Sequence, residues 1–185
     1  MQRPSTTAPP GRRTRGGGGG RAPSAGILLY RRGTGGQGET IEILLVHPGG
    51  PFWATKDAHA WSIPKGELED GEPPLRGAIR ELSEDTGASV GPAAEAAAIA
   101  LPPIRTSSGK IIHAFAVQQD FDVTALRSNP VELEWPPRSG KQQTFPEVDR
   151  AGWFPLELAR DKLHKGQVGL VDHLIRVLDV GSAAP

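Results

Sequence analysis

Residues 66–88 read GELEDGEPPLRGAIRELSEDTGA, and they form the most informative stretch of the sequence. Its second half, residues 73–87, has the spacing and the terminal residues of a helix. Pro73 fits the first helical position, where a missing N–H costs nothing, and Gly87 fits the left-handed residue that follows a last turn. Apolar residues recur along one side of this predicted helix, so that side can pack on a sheet; they are Leu75, Ala78, Ile79 and Leu82.

Three carboxylates occupy a neighbouring side of the predicted helix. Glu81, Glu84 and Asp85 stand at positions i, i+3 and i+4, so their side chains lie within one turn of each other. Like charges at this spacing repel, and a cation among them removes the repulsion. Hard divalent ions prefer carboxylate oxygens, and magnesium typically combines one or two carboxylates with substrate phosphates. The alternative from these residues alone is a solvated acidic face on which Arg80 pairs with Glu84.

The pattern continues on both sides of the acids and resembles the Nudix box of the Nudix hydrolase superfamily. The box runs Gly, five residues, Glu, seven residues, Arg-Glu-apolar-any-Glu-Glu-any-Gly-apolar. This chain supplies it with Gly66, Glu72, Arg80, Glu81, Leu82, Glu84 and Gly87. Two positions depart from it, because Asp85 replaces the second Glu of the pair and Ala88 is small. The resemblance to small MutT-like members implies an α+β fold, an αβα sandwich with a mixed sheet, and hydrolysis of nucleoside diphosphate linkages.

The resemblance also implies roles for the residues of the box. Glu81, Glu84 and Asp85, with the carbonyl of Gly66, are the candidate ligands of Mg²⁺ or Mn²⁺. Glu72 and Arg80 are the candidates for pinning the loop to the helix. The shorter Asp85 implies weaker metal affinity with activity retained.

A general base must accept a proton from the attacking water. The candidates are Glu81, Glu84 and Glu147, which precedes Trp153 by six residues, much as a late metal-binding Glu precedes a Trp in MutT-like members. The alternative for Glu147 is an exposed acid in a loop.

Candidate substrate residues lie outside the box. Residues 61–66, WSIPKG, resemble the approach to the box in diadenosine-polyphosphate hydrolases, and this similarity implies a phosphate role for Lys65. Those enzymes carry a Tyr after the box, whereas the only Tyr here is Tyr30. Four further candidates are two aromatic residues that could stack on a base and two cations that could bind phosphate: Trp53, Trp135, Arg138 and Lys141. Their alternatives are core packing and a Pro-stiffened surface loop.

Apolar runs and turn residues outside the box predict one α+β domain over residues 25–180. We predict strands at 25–32 and 40–47, joined by a flexible glycine-rich loop at 33–38, and further strands at 110–117 and 151–154. A short helix is expected near 156–163. A closing helix is expected at 168–178, ended by Gly181.

Charge and glycine content separate the first 24 residues from this domain. They hold five arginines and no acid, and almost nothing apolar, so we predict a disordered basic arm. The rest of the chain holds 16 basic and 21 acidic side chains, which makes it a poor general trap for polyanions. Residues 181–185 are expected to form a flexible tail.

Composition limits the remaining classes. The chain has no cysteine, so a disulfide framework, a thiolate metal site and a cysteine nucleophile are excluded. No apolar run approaches the roughly 20 residues that span a bilayer, and no leader pattern opens the chain, so we expect a cytoplasmic protein without a membrane partner. Nucleic acid is expected only in weak contacts of the arm.

The predicted function is that of a divalent-metal-dependent pyrophosphohydrolase acting on nucleoside di- or triphosphates or their derivatives. One alternative is a dinucleoside-polyphosphate hydrolase. Another is a non-catalytic nucleotide sensor on the same fold, which the intact Glu81 and Glu84 disfavour.

Overall fold

The computed structural model describes residues 22–35 and 38–182. Residues 1–21 of the predicted arm, 36–37 of the predicted loop and 183–185 of the predicted tail lie outside the described residues. The predictions of a disordered arm and a flexible tail therefore stay predictions, as do the domain bounds.

A seven-stranded sheet forms the centre of the described chain. Its strands are β1 (Ser24–Gly35), β2 (Gly38–Pro48), β3 (Lys65–Glu67), β4 (Ile99–Ala100), β5 (Ile104–Arg105), β6 (Ile111–Gln118) and β9 (Val148–Pro155). The main order is β4-β6-β1-β2-β9, while β3 pairs with β1 and β5 pairs with β6. Strands β1 and β6 run parallel and the other pairs antiparallel, so the predicted mixed sheet is confirmed.

Helices cover both faces of this sheet because its central strands are apolar on both faces. Ile27 and Leu29 of β1 pack in one cluster with α1 (Pro74–Thr86). Leu28 of β1 packs in the opposite cluster, with α3 (Leu156–Lys162) and α4 (Gly169–Ser182). Each cluster buries large side chains completely, which removes their apolar area from water. The αβα sandwich expected from the sequence is confirmed.

The boundaries of α1 confirm one predicted end and correct the other. Gly87 caps the helix in the left-handed region, at φ 76°, and its N–H donates to the Ser83 carbonyl at 2.8 Å. Pro73 does not occupy the first helical position, because it is extended, at φ −60° and ψ 134°, and the helix begins at Pro74. A residue before proline is pushed out of the helical region by the proline ring, so the second proline decides where the helix begins.

Other boundaries also differ from the predictions. The ladder between β1 and β2 continues to Gly35 and Gly38, so residues 33–35 and 38 of the glycine-rich segment extend the two strands, whereas a flexible loop was predicted. The closing helix runs through Gly181 to Ser182, and Gly181 therefore does not end it. Glycine permits a helix end but forces none.

Several short elements had no predicted counterpart. The helix α2 (Pro92–Ala96) follows α1, and β3, β4 and β5 are only two or three residues long. Strands β7 (Pro130–Glu134) and β8 (Gln142–Pro146) form a separate two-stranded sheet, and its connecting loop is the Pro-rich stretch at 135–141. No helix in the described part of the chain is long and apolar enough to cross a membrane.

Candidate active site

The guanidinium of Arg80 connects the loop after β3 to helix α1. Its Nε and Nη2 donate to the two carboxylate oxygens of Glu72 at 3.0 and 2.9 Å, and Nη2 also donates to the Glu67 carbonyl at 3.1 Å. The guanidinium lowers the pKa of Glu72 to about 2, with a backbone N–H as a second cause. Two parallel hydrogen bonds fix orientation as well as distance. The loop is thus pinned to the helix.

Arg80 also binds two of the predicted metal ligands. Its Nη1 donates to Glu81 Oε1 at 2.7 Å and to both oxygens of Glu84 at 3.3 Å. These carboxylates raise the pKa of Arg80 above its already high ordinary value, Glu72 contributing most. Arg80 and its three carboxylate partners form one network, in which a single cation binds three acids.

Gly66 lies directly against the Glu81 carboxylate. A Cβ built at Gly66 would overlap the carboxylate carbon and both of its oxygens. The residue sits in β3, paired with Ala25 of β1, so the sheet fixes its position. Only glycine leaves this space to the Glu81 carboxylate, which brings it close to the backbone of β3.

Asp85 is the most deeply buried of the acids on α1. It is 5% exposed, and its Oδ2 accepts the backbone N–H of Lys65 at 3.0 Å. Burial raises its pKa to about 7, and the negative charges of Glu147 and Glu81 add to the rise. Burial also raises the pKa of Glu81, where Glu84 and Glu147 act in the same direction against Arg80. The carboxylate of Glu147, which precedes β9, and those of Glu81 and Asp85 therefore make each other's ionisation less favourable.

These acids fit a hard divalent cation in charge and donor type. All are oxygen donors, and a dication among Glu81, Asp85 and Glu147 would relieve their mutual repulsion. In residues 22–35 and 38–182, however, no three acidic or histidine side chains converge in a metal-binding arrangement. Instead, Glu81 and Glu84 turn toward Arg80.

A cavity of about 950 Å³ opens beside this network. Lys65, Asp85 and Glu147 line it together, and Trp53 contributes an aromatic wall. Three lysines and two carboxylates line the cavity, and one of these lysines, Lys110, is paired with Glu67. Lys65 and Lys165 offer positive charge to an anionic ligand, and a concave site with low-dielectric walls strengthens this attraction.

The structure brings some predicted residues together and separates others. Glu147 reaches the acids of α1, because its backbone is fixed by bonds to Asn129 and Gly49. Trp135, Arg138 and Lys141 lie on the β7–β8 hairpin or its loop and are not among the residues lining the cavity. There Trp135 packs edge-on against the exposed Phe52, with ring centres 5.2 Å apart.

Sequence reasoning missed the buried Gln167 in the cavity wall. Its Oε1 accepts the Ile63 N–H at 3.1 Å, and its Nε2 donates to Ser62 Oγ at 2.9 Å. Gln167 is 4% exposed and lies 104 residues from Ile63 in the chain. No local pattern marks such a partner, because a lone glutamine carries no periodicity.

The three layers and the loop pinned to α1 beside a cavity place this chain among αβα proteins with an acid-rich loop–helix site. The family described as NUDIX domain matches residues 20–174. The chain belongs to this family, and it is therefore a hydrolase that acts on phosphoanhydride bonds.

Solved structures with the same fold also match most of this chain. A C. elegans Ap4A hydrolase in a binary complex is 19% identical, with 84% of this chain and 98% of that chain covered and a TM-score of 0.56. The NUDIX domain of Shewanella oneidensis NrtR, complexed with ADP ribose, is 15% identical, with 86% and 89% covered and a TM-score of 0.55. A mutT/nudix family protein from Listeria innocua is 17% identical, with 87% and 98% covered and a TM-score of 0.55. At these identities the likeness shows the fold.

Proposed function

We propose that this protein is a divalent-metal-dependent pyrophosphohydrolase that cleaves a phosphoanhydride bond in nucleoside di- or triphosphates or their derivatives. The observation that carries the proposal is the convergence of Asp85 and Glu147 with lysine side chains on one cavity, beside the close contact between Gly66 and the Glu81 carboxylate. A polyphosphate that arrives with a dication matches both features, because it brings negative charge to the cations and positive charge to the acids.

Glu81, Glu84 and Asp85, with the Gly66 carbonyl, would hold Mg²⁺ or Mn²⁺. Bound there, the ion supplies charge neutralisation at the phosphates and a lowered pKa for coordinated water. The chain's own part is to place these oxygens. Arg80 orients Glu81 and Glu84 through bonds of 2.7 and 3.3 Å, and β3 holds Gly66 against Glu81.

Lys65 and Glu147 are proposed to bind phosphate and to accept a proton, respectively. Lys65 places an ammonium beside the acids, where it can hold a phosphate oxygen, and its backbone N–H fixes Asp85. Glu147 presents a carboxylate to the same space and is proposed as the base that takes the proton of the attacking water. Trp53 is proposed as a surface for the base of the nucleotide.

Chromatographic separation of the nucleotide products tests this proposal, using a panel of nucleoside triphosphates and ADP-ribose with Mg²⁺ and with chelator. The parent is expected to turn over at least one substrate only with the metal. Glu147→Gln is expected to lose about 100-fold or more in kcat, the usual effect of removing a general base. Glu132→Gln, an exposed acid on β7, is the matched control. Glu147→Gln activity within twofold of the parent would remove that residue from the mechanism.

A dinucleoside polyphosphate is the second candidate substrate. Lys65 lines the cavity, and the resemblance to diadenosine-polyphosphate hydrolases implies a phosphate role for it. The cavity volume of about 950 Å³ lies at the upper end of the range for small-molecule sites, which favours a large ligand. Faster turnover of diadenosine tetraphosphate than of any mononucleotide in the panel would favour it.

Nucleotide binding without turnover of any member of the panel would contradict the proposed function and would favour a non-catalytic nucleotide sensor. A cytoplasmic location stays a prediction, to be checked by fractionation.

A further inference from the structure

A second polar cluster lies in the cavity wall, contributed by segments far apart in the chain. It consists of Thr106, Ser107, Ser108, His164 and Lys165, and all five residues line the cavity. We refer to these five residues as the hydroxyl–lysine wall. The box and the general base leave this cluster without a role.

Backbone hydrogen bonds hold the lysine side of the hydroxyl–lysine wall in place. Residues 59–61 run beside residues 161–164, with the Trp61 N–H donating to the Lys162 carbonyl at 3.0 Å. The His164 N–H donates back to the Trp61 carbonyl at 2.7 Å. His164 and Lys165 therefore follow a segment fixed to the core, because Trp61 is 5% exposed.

The hydroxyl side of the hydroxyl–lysine wall is a closed turn packed on the lysine side. The Thr106 N–H donates to the Lys110 carbonyl at 2.9 Å, and Ser108 Oγ lies 3.0 Å from Thr106 Oγ1. A Cβ at Gly166 would be 3.7 Å from Thr106 Cα, which is ordinary contact. Hydroxyls and ammonium thus belong to two packed segments whose separation is set by the fold.

Lys165 differs from two neighbouring lysines in its pairing. Lys110 is bound to Glu67 at 2.8 Å, and Lys162 pairs with Asp57. Lys165 has no ion-pair partner in the described part of the chain, nor does His164. A cavity wall thus holds an ammonium without a neutralising carboxylate, next to hydroxyls that can donate. Ammonium and hydroxyl donors together suit a tetrahedral oxyanion with several acceptor oxygens.

We propose that the hydroxyl–lysine wall binds a phosphoryl group of the substrate other than the one attacked, so that the enzyme prefers substrates with three or more phosphates. This proposal rests on the proposed function, since the attacked group is placed beside Lys65 and Asp85. The bound group can be the free terminal phosphate of a mononucleotide or an internal phosphate of a dinucleotide. Both present the same oxygens to Lys165 and the hydroxyls.

Binding of inorganic tripolyphosphate tests the hydroxyl–lysine wall without turnover. Isothermal titration at low ionic strength, in chelator, compares the parent with Lys165→Ala and the double variant Ser107→Ala/Ser108→Ala. Loss of a charged hydrogen bond predicts about tenfold weaker binding for Lys165→Ala, and loss of hydroxyls a few-fold. Arg176→Ala is the control, an exposed cation of α4 that is not among the residues lining the cavity, and is expected to bind like the parent. Thermal melting checks that each variant is folded.

Kinetics then separates the two phosphate sources. Lys165→Ala is expected to raise KM about tenfold for a nucleoside triphosphate, with kcat unchanged, while KM for ADP-ribose, with two phosphates, moves less than twofold. If KM for diadenosine tetraphosphate rises equally, the hydroxyl–lysine wall binds an internal phosphate. If KM rises only for the triphosphate, the wall binds a terminal phosphate.

The proposed phosphate site would be overturned if the parent does not bind tripolyphosphate. It would also be overturned if the parent and Lys165→Ala bind it equally. A parent that binds tripolyphosphate through Lys165 but hydrolyses nothing would overturn the proposed function alone.

Discussion

Replacing Gly66 with alanine is predicted to separate activity from stability. The new Cβ would overlap all three atoms of the Glu81 carboxylate, which must move away to reach an ordinary contact distance of 3.4 Å. That movement is about an ångström or more, and a misplacement of this size can cost about 100-fold in rate. The carboxylate is the far end of a flexible side chain, so the fold can accommodate the change. Stability should fall by no more than about 1 kcal/mol.

The assay compares kcat on the best substrate of the nucleotide panel with the free energy of unfolding in urea. Gly91→Ala is the matched control, because a Cβ there meets nothing within 4 Å. We expect Gly66→Ala to lose about 100-fold in kcat and Gly91→Ala to keep parental activity. Parental kcat in a folded Gly66→Ala protein would refute the reasoning, since Glu81 could not then need the space beside Gly66.

Three further predictions concern the supporting structure. Since Arg80 lowers the pKa of Glu72 from 4.5 to about 2, the folded state gains stability above pH 4.5 and loses it as the pH falls toward 2. Between pH 6 and pH 3 the free energy of unfolding in urea should therefore fall less for Glu72→Gln than for the parent. An equal fall in both proteins would contradict this. Gln167→Met keeps the side-chain volume but leaves the buried Ile63 N–H unpaired, so the free energy of unfolding in urea should fall by about 1–3 kcal/mol. An unchanged free energy of unfolding would contradict this role of the hydrogen bond. Leu82→Ala, at a fully buried core position, should cost about 2–5 kcal/mol, and a loss below 1 kcal/mol would contradict its place between α1 and the sheet.

The helix and its acids could be predicted because their signals are local. Period 3.6 and a terminal glycine decide where α1 lies and how it ends, and both depend only on neighbours in sequence. The same reasoning placed Pro73 inside the helix, since it treated one proline at a time. The restriction that Pro74 imposes on Pro73 is also local and was available from the sequence.

The walls of the cavity could not be predicted because they depend on long-range pairing. Residues 106–110 and 164–167 meet only after β5 and the segment beside Trp61 are in place. The β7–β8 hairpin escaped prediction for another reason. Pro130 begins β7, Pro146 ends β8 and two more prolines lie in the loop, and prolines count against a strand even where apolar and polar residues alternate, as they do in β7. The partner of Gln167 likewise lies more than 100 residues away.

Calorimetric titration with Mn²⁺ tests most directly whether the acids of α1 collect a dication. The parent should take up the ion, and Glu81→Gln should bind it at least about tenfold more weakly, because one charged ligand is lost. Glu157→Gln, an acid of α3 remote from the box, should titrate like the parent. Equal Mn²⁺ uptake by the parent and Glu81→Gln, or no uptake by the parent, would contradict the account.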